Sequence, residues 1–362
     1  MATAVTSPKE VRRAELKSAR SFSDFVNSVR KANSRNGLVR AEAHEQLGEY
    51  GSTYVTKAAM GETSGTIGGY TVPIEFSTKL LRVIAENSFI YPRATIVPMG
   101  AERTLCPTIN VETAQSAGIP SFFGGMAFKW GFSDPPTETE PTFRQIELNA
   151  WDLLGYSNIS NQMFQDIGVE GNDALLDMFG KAGAWFSEYA FLRGTGSANL
   201  MPMGIINCNG KKSVARAGSN AIVIADIANM AAAMLPYSWA SAIWACSPAC
   251  LAQIMKLSNY IVNIGEESPG LAGILLGRPL YVTDKLPNLG TAGDLVFFDP
   301  SLYIVGQRTE VVIDVSDQQL FQTNQTQFRT WLRLDGVPQV SSPITMAGDG
   351  STTVSPYVIL AA

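Results

Sequence analysis

The sequence holds one histidine in 362 residues, His44, and that scarcity removes much of ordinary enzymology at the outset. A serine or cysteine nucleophile needs a base that titrates near neutral pH, and histidine is the usual one. His44 sits in AEAHEQLGEY, a charged segment outside the expected core, where solvent exposure is its natural state. Cysteine is nearly as sparse: Cys106, Cys208, Cys246 and Cys250 are scattered, and none forms a C-x-x-C pair. Only Cys246 and Cys250 stand at helical i,i+4 spacing, and a zinc site would need ligands that the neighbouring sequence does not supply. Small buried thiols are the expectation. No G-x-S-x-G, G-x-x-x-x-G-K-[ST] or H-E-x-x-H occurs, and the glycines at 65–69 and 125–131 do not lie between a strand and a helix as a phosphate loop would. The carboxylate pairs Glu266–Glu267 and Glu138–Glu140 lie in loop-like stretches and are expected to be solvated surface. The expectation is a protein without catalytic residues, cofactor or metal.

Long hydrophobic runs are missing too. No stretch of about 18 apolar residues occurs, so no transmembrane helix is expected. The N-terminal MATAVTSPKEVRRAELK has no apolar block behind its charges and does not read as a secretory signal, so a cytoplasmic product is expected. Composition is otherwise that of a folded protein, 46% hydrophobic and 16% charged, and the length fits two domains or one large unit with an extension.

Charge is unevenly spread. The net is −5, yet residues 1–60 carry ten basic against six acidic side chains, leaving 17 basic and 26 acidic in the remainder. An acidic body has no electrostatic footprint for gripping phosphates. The first sixty residues are too mixed in sign to act as a nucleic-acid arm. Ser21 or Ser23 is placed to cap a short helix with Phe22, Phe25, Val26 and Val29 on one face. GETSGTIGGYTVP (61–73) follows with four glycines and reads as an extended joint, so 1–60 is expected to be an arm or a removable segment.

Further on, the patterns alternate. Ile74 to Asn87 predicts a helix. Pro92 and Pro98 flank an extended segment, and Arg103 to Val111 predicts a strand. Residues 118–141, GIPSFFGGMAFKWGFSDPPTETEP, show no periodicity. FRQIELNAWDLLGYSNIS then predicts one long strand. Two strands around so long a loop make a hairpin arm, and a loop of that length is unusual inside a compact domain. Phe122, Phe123, Phe128, Trp130 and Phe132 within it are candidates for burial against another subunit, because an exposed aromatic cluster marks an interaction site. A local aromatic minicore is the other reading.

Asn172 is placed to cap a helix running to Arg193. Its Leu175, Phe179, Ala182, Phe186, Tyr189 and Arg193 repeat at steps of four and three, predicting a core face on a helix roughly 33 Å long. From 221 onward the pattern is α/β. Asp226–Leu235 predicts a helix stopped by Pro236, and Ser241–Ala245 a strand. Ser247 is expected as N-cap with Pro248 at the first helical position. Strands are predicted at 279–283, 295–298, 303–305, 310–315 and 327–334, with a last one in TVSPYVIL.

Several of these segments, in order, resemble the major capsid proteins of tailed bacteriophages with the Hong Kong 97-type fold. GGYTVPIEFSTKLLRVIAENSFIYPRATIVPM resembles the start of that family's mature shell subunit, and PTFRQIELNAWDLLGYSNISNQMFQD its strand returning from an extended loop. LLGRPLYVTDKLP with DLVFFDPSLYIVGQR, and FRTWLRLDGVPQVSSPITMA, are similar to its later segments; together they span most of 65–347. The resemblance implies an α+β subunit in named parts. These are an N-terminal arm at 1–72 (1–60 scaffolding-like), a peripheral domain at 73–103, an extended loop at 104–150, and peripheral domain again at 151–220 with a spine helix at 172–193. An axial domain follows at 221–317, then a peripheral strand at 318–342 and a return to the axial domain at 343–362.

It also implies a role and partners. The subunit would assemble with itself into hexamers and pentamers of an icosahedral shell, formed in the host cytoplasm and retained in the virion. The shell would enclose double-stranded DNA without reading its sequence and touch no membrane. A portal protein, and scaffolding, protease or decoration proteins, are the implied companions. Some relatives cross-link a loop lysine to an asparagine; Lys129 is the only candidate donor here, and only Gln339 stands where an acceptor is sought. An encapsulin-type bacterial nanocompartment, built on the same subunit, is the alternative.

Overall fold

The computed structural model describes residues 88–110, 143–218, 220–257, 271–316, 320–346 and 351–362, with short stretches at 28, 31, 42–43, 70–71, 130, 140 and 261–262. Most of the expected helix at 21–31, of which Ser28 and Lys31 are described and helical, the helix at 74–87, the joint at 61–73 apart from Tyr70–Thr71, His44 and most of the loop at 118–141 lie outside the described residues. In chain order the strands are β1 (Tyr70–Thr71), β2 (Thr95–Pro98), β3 (Arg103–Ile109), β4 (Phe143–Asn149), β5 (Trp151–Ser160), β6 (Lys212–Val214), β7 (Ile243–Cys246) and β8 (Ile261–Val262). They continue with β9 (Leu271–Leu275), β10 (Arg278–Val282), β11 (Leu295–Phe298), β12 (Tyr303–Ser316), β13 (Gln325–Pro338), β14 (Ile344–Thr345), β15 (Thr353–Val354) and β16 (Tyr357–Leu360). Three α-helices are described: α1 (Asn161–Arg193), α2 (Ile224–Ala233) and α3 (Pro248–Ile254).

By internal packing the described residues fall into two units, one drawn from Met1–Ile84, Leu153–Gly183 and Thr309–Leu332, the other from Ala85–Asp152, Ala184–Arg308 and Arg333–Ala362. In the first unit the part of β12 from Thr309 and the part of β13 up to Leu332 lie side by side between β1 and the part of β5 from Leu153. Arg329 pairs there with Asp314 across neighbouring strands.

The second unit is built on a seven-stranded sheet of order β6-β16-β11-β7-β10-β9-β8. Its centre is explained by composition. IWAC, LVFF and YVIL, in β7, β11 and β16, are unbroken apolar runs, and every residue in them is buried. Such runs suit strands covered on both faces. Trp244 stacks on Phe297 with centroids 4.0 Å apart, at the heart of a cluster with Met230, Ile254, Leu280 and Val358. β10 runs parallel to β7, while β11 pairs with it antiparallel. The cysteines help fill this region. Cys246 lies on β7 and Cys250 on α3, so their spacing does not place them on one helix. Cys208, Cys246 and Cys250 are buried and all four thiols are free.

Four expectations need correction. First, α1 has 33 residues and begins at Asn161, eleven residues before the predicted cap at Asn172. The helix runs through Gly168 and Gly171, since a glycine within a helix costs only about 1 kcal/mol. The actual start is fixed by Asn324 and Thr326: the Asn161 amide donates to the Asn324 side-chain oxygen at 2.8 Å, and its oxygen accepts from the Thr326 hydroxyl at 2.6 Å. Second, the face of α1 that packs inward is only partly the predicted one: Phe179 is half-buried against Phe328. Gly180, Ala184, Ser187, Glu188, Phe191 and Leu192 are buried, whereas Ala182 and Phe186 are exposed. Large apolar side chains pointed to the wrong face because the buried one carries a charge with its own partner. Third, the strands expected at 303–305 and 310–315 are one continuous strand, β12, while the long strand expected over 143–160 breaks at Ala150. There the Ala150 N–H turns to the Glu102 carbonyl at 2.8 Å, and the chain leaves one sheet for another. Fourth, Ser247 does precede Pro248 at the start of α3, but its hydroxyl donates to the Cys250 sulfur at 3.3 Å rather than capping a backbone N–H.

Candidate assembly surface

β3 and β4 pair antiparallel over their whole length, from Arg103 opposite Asn149 to Ile109 opposite Phe143. These are the two strands that the sequence places on either side of the long loop. Side chains of a strand alternate between faces, so the register assigns each residue. Ile146 and Leu148 turn inward with Cys106, packing with Met99, Ala150 and Ile304. Gly306 permits this closeness, since a Cβ there would crowd Met99 and Leu148. The opposite face holds Arg103, Leu105, Pro107, Phe143, Gln145 and Glu147, all exposed.

Two members of that outer face are out of place on a solvated surface. Phe143 is 71% exposed and Leu105 49%. Arg103 and Glu147 lie beside Leu105 as an ion pair at 2.5 Å, which holds the Glu147 carboxyl below the usual carboxylate range, with the Asn149 amide assisting. By register the Pro107–Gln145 pair separates Leu105 from Phe143. Trp130, in the loop between the strands, is 98% exposed. Of the other loop candidates, Phe122, Phe123, Phe128, Phe132 and Lys129 lie outside the described residues, so the structure neither gathers nor separates them. Gln339, beyond β13, accepts from Arg144 through its backbone carbonyl at 3.2 Å, and its N–H donates to the Leu302 carbonyl at 2.9 Å.

A second exposed aromatic group stands on α1. Trp185 and Phe186 meet edge to face at 5.0 Å, and Trp185 stacks on Tyr189 at 5.5 Å. The Trp185 indole N–H donates to Asp284 at 3.2 Å, which fixes the ring while Phe186 stays 55% exposed. Directly behind, on the buried side, Glu188 gathers donors: the Ser88 hydroxyl at 3.1 Å, the Phe89 N–H at 2.8 Å and the Lys285 ammonium. Ionised groups are kept inside a fold only when so paired.

Burial pushes the thiols of Cys208 and Cys250 up to about 11 and that of Cys246 up to about 12, so they are protonated near neutral pH and poor nucleophiles. Among the described residues no cluster of three or more metal-ligating side chains occurs, and no helix is long and apolar enough to cross a membrane.

Comparison with known proteins supplies the identity. The profile of the phage capsid family matches residues 68–347. The chain belongs to the phage capsid family. That is a structural family, and several solved structures share this chain's fold. The capsid of a native GTA particle is 14% identical, with 91% of this chain and 100% of that one covered and a TM-score of 0.53. The corresponding chain of Mycobacterium phage Adephagia is 16% identical, with coverage of 76% and 89% and a TM-score of 0.52. That of Microbacterium phage Oxtober96 is 12% identical over 89% and 98%, also at 0.52. No curated protein sequence matches.

Sequence reasoning missed Leu105, Phe143, Trp185 and the Glu188–Lys285 pair in this capsid-family chain. Phe143 had a readable signal: it shares strand parity with Gln145 and Glu147, the polar phase, where a phenylalanine needs a reason. The ion pair had none, since its partners lie 97 residues apart.

Proposed function

We propose that this chain is the major shell subunit of a tailed phage, built on the Hong Kong 97-type plan. In this reading copies assemble into pentamers and hexamers of an icosahedral shell around double-stranded DNA. The observation that carries it is the hairpin of a phage capsid family member, with one face packed on its own unit and the other displaying Leu105 and Phe143. A two-stranded ribbon is marginal by itself, and apolar side chains on its free face gain most when a second copy covers them. The arm at 1–72, the extended loop at 104–150, the peripheral segments with their long helix and the axial region at 221–317 are the parts this plan assigns. Lys129 remains the candidate cross-link donor. Portal, scaffolding and decoration proteins are the expected companions, and the virion is the expected location.

Charge supports a DNA container. Beyond residue 60 acids outnumber bases, 26 to 17, and such a wall does not adhere to the packed phosphates. The phage and GTA relatives favour this reading over an encapsulin-type compartment. Negative-stain microscopy of the overexpressed chain, with intact-mass measurement, tests it: closed icosahedral shells are expected, and a stable monomer at high concentration would refute it. Deleting 122–132 should leave a folded subunit that assembles poorly.

A further inference from the structure

At the base of the hairpin a carboxylate is buried where β4 meets β13. Asp335, on β13, is 3% exposed. It accepts from the Asn149 N–H at 2.7 Å and the Gly336 N–H at 2.8 Å. Asn149 is the last residue of β4, so this bond ties the end of the hairpin to a strand of the fold. Gly336 is required beside it, since a Cβ would collide with the Tyr303 hydroxyl. A cleft of about 410 Å³ adjoins the carboxyl, lined by Arg144, Glu147, Asn149, Met203, Cys208 and Asp335 among others.

The surroundings offer this carboxylate little positive charge. From β4, Glu147, itself paired with Arg103, adds a smaller like-charge contribution, while Arg144 is engaged by the Ser341 hydroxyl and the Gln339 carbonyl. From β12 comes the Tyr303 phenol, which donates to the Met203 carbonyl. On its own strand Arg333 pairs with Asp152 at 2.5 Å. Cys208 is protonated near neutral pH. Two backbone donors therefore stand against burial.

We propose that Asp335 is a proton-controlled clasp at the base of the hairpin, holding β4 to β13 in acid and loosening that junction as pH rises to neutral. The sign follows from linkage. Burial first, opposed by the two N–H donors and aided by Glu147, pushes the Asp335 carboxyl up to about 7 from 3.8. An opened junction hydrates the group through the cleft and returns it to its ordinary range. The closed form's advantage is thus fully present below about pH 4 and is lost as pH rises to about 7. At most about a thousandfold change in the opening equilibrium is available, one decade for each of about three pKa units. The clasp itself is a property of the subunit; its consequence for shell assembly rests on the function proposed above.

Hydrogen exchange of the full-length chain, read by mass spectrometry on peptides covering 143–152, tests it. Protection, corrected for the intrinsic pH dependence of exchange, is expected to fall between about pH 5 and pH 7 and then level off. Asp335→Asn and Asp335→Ser should flatten the profile. Glu147→Gln, an exposed change that leaves the fold intact, should move the levelling point to lower pH. A flat parent profile, a neutral variant that keeps the slope, or an unmoved Glu147→Gln profile overturns the clasp. Exchange reads the subunit whether or not shells form, so loss of shells with a sloping profile refutes only the assembly reading.

Discussion

The seven-stranded sheet and the β3–β4 hairpin are built from the same kinds of residue, yet only the sheet's central strands are buried on both faces. In β7, β11 and β16 every residue is buried, and neighbours on both sides come from the same unit. The hairpin alternates: Ile146 and Leu148 are covered, while Leu105 and Phe143 face outward. Apolar surface left on a folded subunit does not stabilise that subunit; it stores free energy for association. The contrast therefore suggests a division between residues that fold the chain and residues proposed to join copies of it, and mutation can test that division.

The largest effect is expected in the sheet. Trp244 is fully buried and stacked on Phe297, so Trp244→Ala removes a large side chain from a close-packed centre and should cost about 3–5 kcal/mol. Denaturant unfolding of the soluble fraction measures it, and low recovery of folded protein is itself expected. A loss below about 1 kcal/mol would mean that the sheet centre tolerates a void, and the contrast would fail at its stronger end.

Next comes the buried pair on α1. Lys285→Met removes the cation but leaves Glu188 with the Ser88 hydroxyl and the Phe89 N–H as donors, an uncompensated charge costing about 3 kcal/mol. Adding Glu188→Gln should recover much of that loss, because the cost lies in the stranded charge. Equal unfolding midpoints for the single and double variants would show that the pair contributes packing instead.

These two sites mark what could be read from sequence. The sheet strands were legible, since LVFF and YVIL are apolar without interruption and flanked by turn residues. The hairpin was legible because Arg103 to Val111 and Phe143 onward carry strand patterns around a loop too long to be internal. The orientation of α1 was not. Periodicity weighs Phe186 and Tyr189 as core and has no means of knowing that Glu188 meets Lys285 across 97 residues. Asp335 was equally silent, because its burial depends on where β4 ends. Local pattern fixes elements; partners distant in sequence decide which face is inside.

The smallest change in stability is expected on the hairpin's outer face, and there the contrast is sharpest. Leu105→Ser and Phe143→Ser together replace exposed apolar groups by polar ones without touching Ile146, Leu148 or the Asp335 bond. Unfolding free energy should shift by no more than about 0.5 kcal/mol, as for other surface substitutions. Particle yield should nevertheless drop severely, with sedimentation showing free subunits or small oligomers in place of shells. The two readouts must separate for the division to hold. If the double variant unfolds readily, Leu105 and Phe143 are part of the fold. If it stays stable and still forms shells at the parental yield, their exposure is incidental and another surface, with Trp185 and Phe186 the next to test, carries the contact.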